Sequence, residues 1–84
     1  DRDEIRKIAL QHPKVLGFHD LRTRDTGQKY IIQFHLELDP NMTLLESHKI
    51  TDEVTDNVLN VYPNSELIIH TDPLGIDEVR DPFE

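Results

Sequence analysis

The chain has 84 residues, which allow one small domain, and a formal net charge of −8, from 17 acidic and 9 basic residues. This acidic balance argues against nucleic acid as a partner, because a nucleic-acid binder needs a basic face to displace counterions, and against an anionic membrane surface. The chain has no cysteine, so any metal site must use imidazole and carboxylate ligands, and no apolar run reaches the roughly 18 residues that span a membrane.

The first half of the chain predicts a helix followed by a β-hairpin. In residues 2–12 apolar side chains recur at the spacing of one helix face, and Pro13 ends that pattern. Residues 15–24 and 29–38 are predicted to be two strands. In the second of them, polar and apolar residues alternate clearly. Gly27 lies in the turn signal between them and is able to take a positive φ.

The second half predicts another helix and a last strand. Pro40 ends the hairpin, and Thr43 with Glu46 forms a capping box that opens a helix running to about Tyr62. The core-facing stripe expected for this helix is Leu44, Ser47, Ile50, Val54, Val58 and Val61. The last strand is predicted over residues 66–72.

The predicted order of elements is α-β-β-α-β. A crossover through the second helix should be right-handed and make the second and third strands parallel. The sequence therefore predicts an α+β, ferredoxin-like fold without its first strand, in which a three-stranded mixed sheet carries both helices on one face. We expect this domain to cover residues 1–73 and an extended acidic tail to cover residues 74–84. The other face of the sheet is then left open.

The register of the hairpin places two histidines together on this open face. A three-residue loop would set Asp25 opposite Lys29, and counting back then sets His19 opposite His35. Residues paired in this way have Cβ atoms about 4.5–5.5 Å apart, close enough for two imidazoles to share an ion. A four-residue loop is not expected, because it would set Phe18 against His35 and spoil the apolar alternation.

This register leaves two charged residues of the first strand, Asp20 and Arg22, on the helix side, either beyond the cover of the helices or beside a β-bulge. On the last strand, His70 and Asp72 share a face, which adjoins His35 if the second and third strands are neighbours. Taken alone, His70 and Asp72 are more typical of a hydrogen-bonded couple than of a ligand pair. Together with the two histidines of the hairpin, they predict a metal site.

A further histidine, His48, lies on the second helix at the border of its expected core stripe, and Leu45 and Leu59 flank it on the helix surface. Imidazole and carboxylate ligands suit zinc and also cobalt, nickel, copper or iron. Metal-dependent hydrolysis is the enzyme alternative, but it needs an open coordination position and a general base, for which Glu37 is the only candidate. Ile31 on the open face fits a dimer contact, as does Ile68.

Four stretches of the chain closely resemble one family: "HPKVLGFHDLRTRDTG", "YIIQFHLELDP", "LLESHKITDEV" and "YPNSELIIHTDP". They are similar to the C-terminal cytoplasmic domain of bacterial cation diffusion facilitators, in the ferrous-iron and zinc efflux branch. The resemblance implies a homodimeric, metallochaperone-like regulatory domain on the cytoplasmic side of the bacterial inner membrane. It also implies a transmembrane domain in the same parent chain, and no enzymatic activity. A free-standing metallochaperone or a small-ligand-binding module of the same fold is the alternative.

The resemblance also implies a ligand set near the dimer interface. Carried over by motif, the ligands of zinc, or of iron, cobalt or cadmium, are His19, His35, His48, His70 and Asp72. Asp72 corresponds to a bridging carboxylate. Thr71 occupies a position at which some relatives carry a Gln that lies just outside the metal ligands. Closure of the dimer around the metal is the function that the resemblance implies.

Overall fold

The computed structural model describes residues 2–75. Its elements are α1 (Arg2–Leu10), β1 (Gly17–Asp25), β2 (Tyr30–Leu38), α2 (Leu44–Val61) and β3 (Ser65–Pro73). The predicted order of helices and strands is therefore confirmed. All of the predicted acidic tail except Leu74 and Gly75 lies outside the described residues. Neither of the two described helices combines the length and apolar character that crossing a membrane requires.

The three strands form one mixed sheet with β2 in its centre. β1 pairs with β2 in the antiparallel sense, and β3 pairs with β2 in the parallel sense, as the crossover through α2 predicts. The parallel register runs from Tyr30 opposite Ser65 to Leu38 opposite Pro73. This register fixes which side chains of β3 lie beside those of β2.

The core lies on one face of the sheet. Alternate residues of β2 point into it, and α1 and α2 close it from the same side. Its fully or nearly fully buried members are Ile5, Ala9, Val15, Ile32, Phe34, Leu36, Leu38, Ile50, Val54 and Val58. Phe18 of β1 packs on Phe34 with ring centroids 4.9 Å apart. Because both helices contribute to this one cluster, the opposite face of the sheet stays open, as predicted.

Helix α2 begins with Thr43 as its N-cap, as predicted, but has a narrower core stripe than expected. The Thr43 hydroxyl accepts a hydrogen bond from the Glu46 N–H at 3.1 Å. The expected burial of Leu44 is wrong: it is 87% exposed. At about 100° per residue, it lies about 120° around the helix from Ile50. Val61, the last helical residue, is 47% exposed and is also outside the core.

Two side-chain contacts tie α1 and the loop after it to α2. The Nδ1 of His12 accepts from the Lys14 N–H at 3.1 Å, and its Nε2 lies 3.0 Å from Glu53 Oε1. The proton of a neutral His12 is therefore on Nε2 and is donated to Glu53, which lowers the pKa of Glu53. At the other end of the helix pair, the Tyr62 hydroxyl donates to Glu4, which raises the pKa of Tyr62 to about 12.

Candidate metal centre

The hairpin sets His19 opposite His35, as predicted, but by a different route. The loop is not the expected three residues long, because Asp25 pairs with Tyr30 and four residues lie between them. Carried straight along the strands, this register would set Asp20 opposite His35, so the expectation that a four-residue loop sets Phe18 there is wrong. A register shift between His19 and Arg22 brings His19 opposite His35 instead.

The register shift is a β-bulge in β1. Two residues, Asp20 and Leu21, stand where the partner strand has only Phe34, between the paired positions His19/His35 and Arg22/Gln33. Asp20 has φ 58°, a left-handed conformation that Asp tolerates better than most residues. The expectation that Asp20 and Arg22 lie on the helix side is therefore wrong, since Arg22 pairs with Gln33 on the open face, whereas the β-bulge expected as one explanation is present.

The bulge turns the Asp20 carboxylate to the open face, where Oδ2 lies 3.7 Å from His35 Nε2. Its other oxygen, Oδ1, lies 3.4 Å from Nε of Arg22. Leu21, the second residue of the bulge, packs against the core instead. Because of the extra residue, the adjacent residues His19 and Asp20 both face the open side of the sheet, and Leu21 faces the core.

Three side chains from three strands converge on the open face: His19 of β1, His35 of β2 and Asp72 of β3, here called the cluster. Asp72 Oδ2 lies 3.4 Å from His19 Nε2 and 2.9 Å from His35 Nδ1. One ligand atom from each side chain lies within 4.8 Å of the other two. Ligands about 2.1 Å from a tetrahedral ion are about 3.4 Å apart, so this donor set fits a divalent transition metal with small adjustments.

The parallel register brings His70 beside the cluster. His70 pairs with His35 across the strands, and their rings stack with centroids 4.8 Å apart and an interplanar angle of 22°. His19 stacks on the other side of His35, with centroids 5.2 Å apart. The three imidazoles thus form one row across the sheet. His70 is exposed and lies at the end of that row, next to the three converging groups but not among them.

The fifth predicted ligand, His48, lies away from the other four. Its side chain is 74% exposed, and its Nε2 lies 3.5 Å from Asp52 Oδ2, one turn further along α2. Its neighbours one turn back, Leu44 and Leu45, are also exposed. Within residues 2–75, the protomer gives His48 no contact with the cluster.

Two further carboxylates contact the cluster, and the ligand set predicted from the sequence includes neither. Glu37 Oε1 lies 3.4 Å from His19 Nδ1, and Asp20 lies beside His35. The strand period predicts Glu37 on the open face, two residues after His35. The same alternation predicted Asp20 on the helix side, and the bulge reverses it. Three carboxylates around two imidazoles give this face a negative potential that favours cations.

Comparisons with known proteins show what this chain is similar to. The family model described as "Cation efflux protein, cytoplasmic domain" matches residues 1–74. Protein p34 of Rickettsia rickettsii (strain Sheila Smith) is 47% identical over 78 residues, which cover 93% of this chain and 26% of that protein. The cation-efflux pump FieF of Shewanella oneidensis is 49% identical over 76 residues, with coverages of 90% and 26%. The chain thus spans about a quarter of the length of these relatives.

A solved structure has the same fold. The metal-bound C-terminal domain of the CzcD transporter from Thermotoga maritima superimposes with a TM-score of 0.83 and 31% sequence identity. The match covers 92% of this chain and 91% of that one. The agreement in fold therefore extends over nearly the whole of both domains.

Proposed function

This chain belongs to the family of cation efflux protein cytoplasmic domains, and from that premise we propose that it is a metal-sensing regulatory domain. In this proposal it binds zinc or a similar divalent ion, such as iron, cobalt or cadmium, on the open face of the sheet. Binding is coupled to closure of a homodimer. A transmembrane domain in the same parent chain, in the bacterial inner membrane, receives the signal.

One observation carries the proposal: a carboxylate oxygen and two imidazole nitrogens from three different strands converge on the open face. Imidazole with carboxylate is a donor set that zinc and its neighbours prefer. His19, His35 and Asp72 would hold the ion, and His70 stands beside them as a further donor. The relatives are transporter domains, which are not enzymes, and we propose a binding function without catalysis here as well.

Charge gives the coupling to a dimer its physical basis. Two copies of a chain with a formal charge of −8 repel each other, and cations bound between them offset that repulsion. The open face also presents apolar groups that a second copy would cover, among them Ile68, which is 39% exposed. In this proposal the closed dimer binds metal more tightly than the open form does. Metal then shifts the equilibrium between the open and closed forms by that difference in affinity.

We assign His48 to the same dimer. It stands clear of its own cluster beside two exposed leucines, so a role in metal binding requires that it reach the cluster of a second copy. The leucines of that helix end would then be covered as the protomers meet. In this arrangement each complete site draws on both protomers, which makes closure a condition of full affinity.

Zinc titration by calorimetry tests the site. Asp72→Asn keeps the shape of the side chain but removes the charge shared by His19 and His35, and we expect zinc affinity to fall by more than about 100-fold. Asp56→Asn, at an exposed position of α2 outside the cluster, is the matched control and should bind within about threefold of wild type. Equal affinity in Asp72→Asn and the control would refute the site.

Mixed dimers test the coupling. A chain with His48→Ala and a chain with His35→Ala should each bind zinc weakly when alone. Mixing them lets the intact cluster of the first meet the intact His48 of the second, so about one tight site per two chains should return. Mass measurement during the titration should show dimers forming with metal. No recovery on mixing, with unchanged oligomeric state, would refute the shared site.

The free-standing alternative gives a different result in the parent protein. If the domain regulates a transporter, metal-site variants should alter metal efflux by the full-length chain without altering its amount in the membrane. If it is a free metallochaperone or ligand-binding module, the parent chain has no membrane domain to respond. Efflux measured with Asp72→Asn and Asp56→Asn in the parent chain distinguishes the two.

A further inference from the structure

Both histidines of the cluster lie between two carboxylates. His35 has Nδ1 at 2.9 Å from Asp72 and Nε2 at 3.7 Å from Asp20. His19 has Nε2 at 3.4 Å from Asp72 and Nδ1 at 3.4 Å from Glu37. Each ring therefore turns one nitrogen inward to the shared Asp72 and the other outward to a carboxylate of its own.

The inward nitrogen of His35 carries its proton while no ion is bound. A carboxylate oxygen only accepts, so the 2.9 Å contact with Asp72 requires that Nδ1–H donates. A metal-ligating nitrogen must instead present a free lone pair. A neutral His35 that binds an ion through Nδ1 keeps one proton, which then has to be on Nε2. Asp20 faces that nitrogen.

The backbone holds both outer carboxylates in place. Asp20 depends on the bulge and its φ of 58°, and its second oxygen faces Arg22 at 3.4 Å. Glu37 lies over Gly17, its partner on β1, where a Cβ added to the glycine would stand 2.6 Å from Glu37 Oε1. A side chain at position 17 would require the Glu37 carboxylate to shift away from its place beside His19.

We propose that Asp20 and Glu37 are positioning residues of the metal site. With metal bound, Asp20 closes from 3.7 Å to hydrogen-bond distance and accepts the Nε2 proton of His35. Glu37, 3.4 Å from His19 Nδ1, accepts the proton of that nitrogen, so that both rings direct a lone pair at the ion beside Asp72. Metal binding moves the proton of His35 from Nδ1 to Nε2 without gain or loss of a proton by the ring. This inference rests on the proposed function, since it assigns roles around the same site.

Nitrogen-15 NMR of the imidazoles tests the tautomers directly, at about pH 8, where free imidazole is neutral. We expect His35 to be protonated on Nδ1 without metal and on Nε2 with zinc, and His19 to be protonated on Nδ1 with zinc. A zinc complex with either ring in the opposite tautomer would overturn the proposal. If wild type binds no zinc at all, the proposed function itself fails, and calorimetry shows that separately.

Variants test the two carboxylates. Asp20→Asn and Glu37→Gln keep size and, at position 20, tolerance of a positive φ, and each should weaken zinc binding about 10–100-fold. Glu66→Gln is the control: it removes one negative charge from the same face, but its carboxylate contacts Lys29, not a histidine. Equal affinity loss in all three would mean that only net charge matters and would refute a positioning role.

Gly17→Ala adds a test that keeps every charge. The new methyl group has to displace the Glu37 carboxylate, so zinc affinity should fall towards that of Glu37→Gln while the urea midpoint of the metal-free domain stays near that of wild type. In the double variant Gly17→Ala, Glu37→Gln the loss should not exceed that of Glu37→Gln alone by more than about threefold. Fully additive losses would show that Gly17 does not act through Glu37, and an unchanged affinity in Gly17→Ala would overturn the assignment of Glu37.

Discussion

Two neighbouring isoleucines of β2 offer a matched test of the one-sided fold. Ile32→Val and Ile31→Val remove the same methylene from side chains that point to opposite faces of the sheet. Ile32 is fully buried under the helices, whereas Ile31 is only partly buried on the open face. The change in chemistry is identical, so any difference in stability reports the two environments.

The expected magnitudes follow from burial. Burying one methylene is worth about 0.8 kcal/mol, and Ile→Val in a closed core costs about 0.5–1.5 kcal/mol once the residual cavity is included. At Ile31 the change should stay within about 0.5 kcal/mol. At about 0.05–0.15 kcal/mol per residue, an 84-residue domain has roughly 4–13 kcal/mol in all, so both variants should remain folded.

Urea denaturation followed by circular dichroism measures the difference. With a slope of about 1 kcal/mol per M for so small a domain, Ile32→Val should lower the midpoint by roughly 0.5–1.5 M and Ile31→Val by less than about 0.5 M. Chelator and low protein concentration keep the measurement on the single protomer. Equal losses at the two positions would refute a sheet with one covered face.

Two predictions concern pH. The hydrogen bond to Glu4 raises the pKa of Tyr62 to about 12, so the contact stabilises the fold fully below the ordinary value of 10 and is lost as the pH rises through 12. Tyrosinate absorbance should therefore include a late step near pH 12 that Tyr62→Phe removes; a titration curve without such a step would contradict this. The hydrogen bond from His12 lowers the pKa of Glu53, so its contribution is present above the ordinary value of 4.5 and lost as the pH falls through the lowered one. The difference in urea midpoint between wild type and Glu53→Gln should shrink below 4.5, and a constant difference would contradict the contact.

The fold followed from the sequence because its signals are local and mutually consistent. Alternation in β2, the capping box at Thr43 and the crossover rule together determine element order, strand direction and the covered face. The burial of Leu44 was not predicted correctly, because it lies about 120° around the helix from Ile50 and the expected stripe was therefore too wide.

The site was predicted less completely. His19, His35 and Asp72 were found because a period of two, combined with strand order, places them on one face. Asp20 was not, because its charge on the predicted helix side had two explanations, a position beyond the helices or a β-bulge, and the sequence does not choose between them. The pairing of His19 with His35 came out right although the expected loop length was wrong, since the bulge offset the longer loop. His48 does not join the cluster within the described residues, and the role proposed for it in a second copy does not follow from the strand register of one chain.

The wide spacing of the cluster along the chain has a consequence for folding rates. His35 and Asp72 are 37 residues apart in sequence, and they meet only when the parallel pair of β2 and β3 has formed. Such non-local pairing is a slow step, because the loop-closure entropy is lost before the contacts form. A ligand whose donors assemble only after that step stabilises the native state but not the transition state. A bound ion should therefore slow unfolding and leave the folding rate unchanged, so that the lifetime of the folded domain varies with the metal concentration around it.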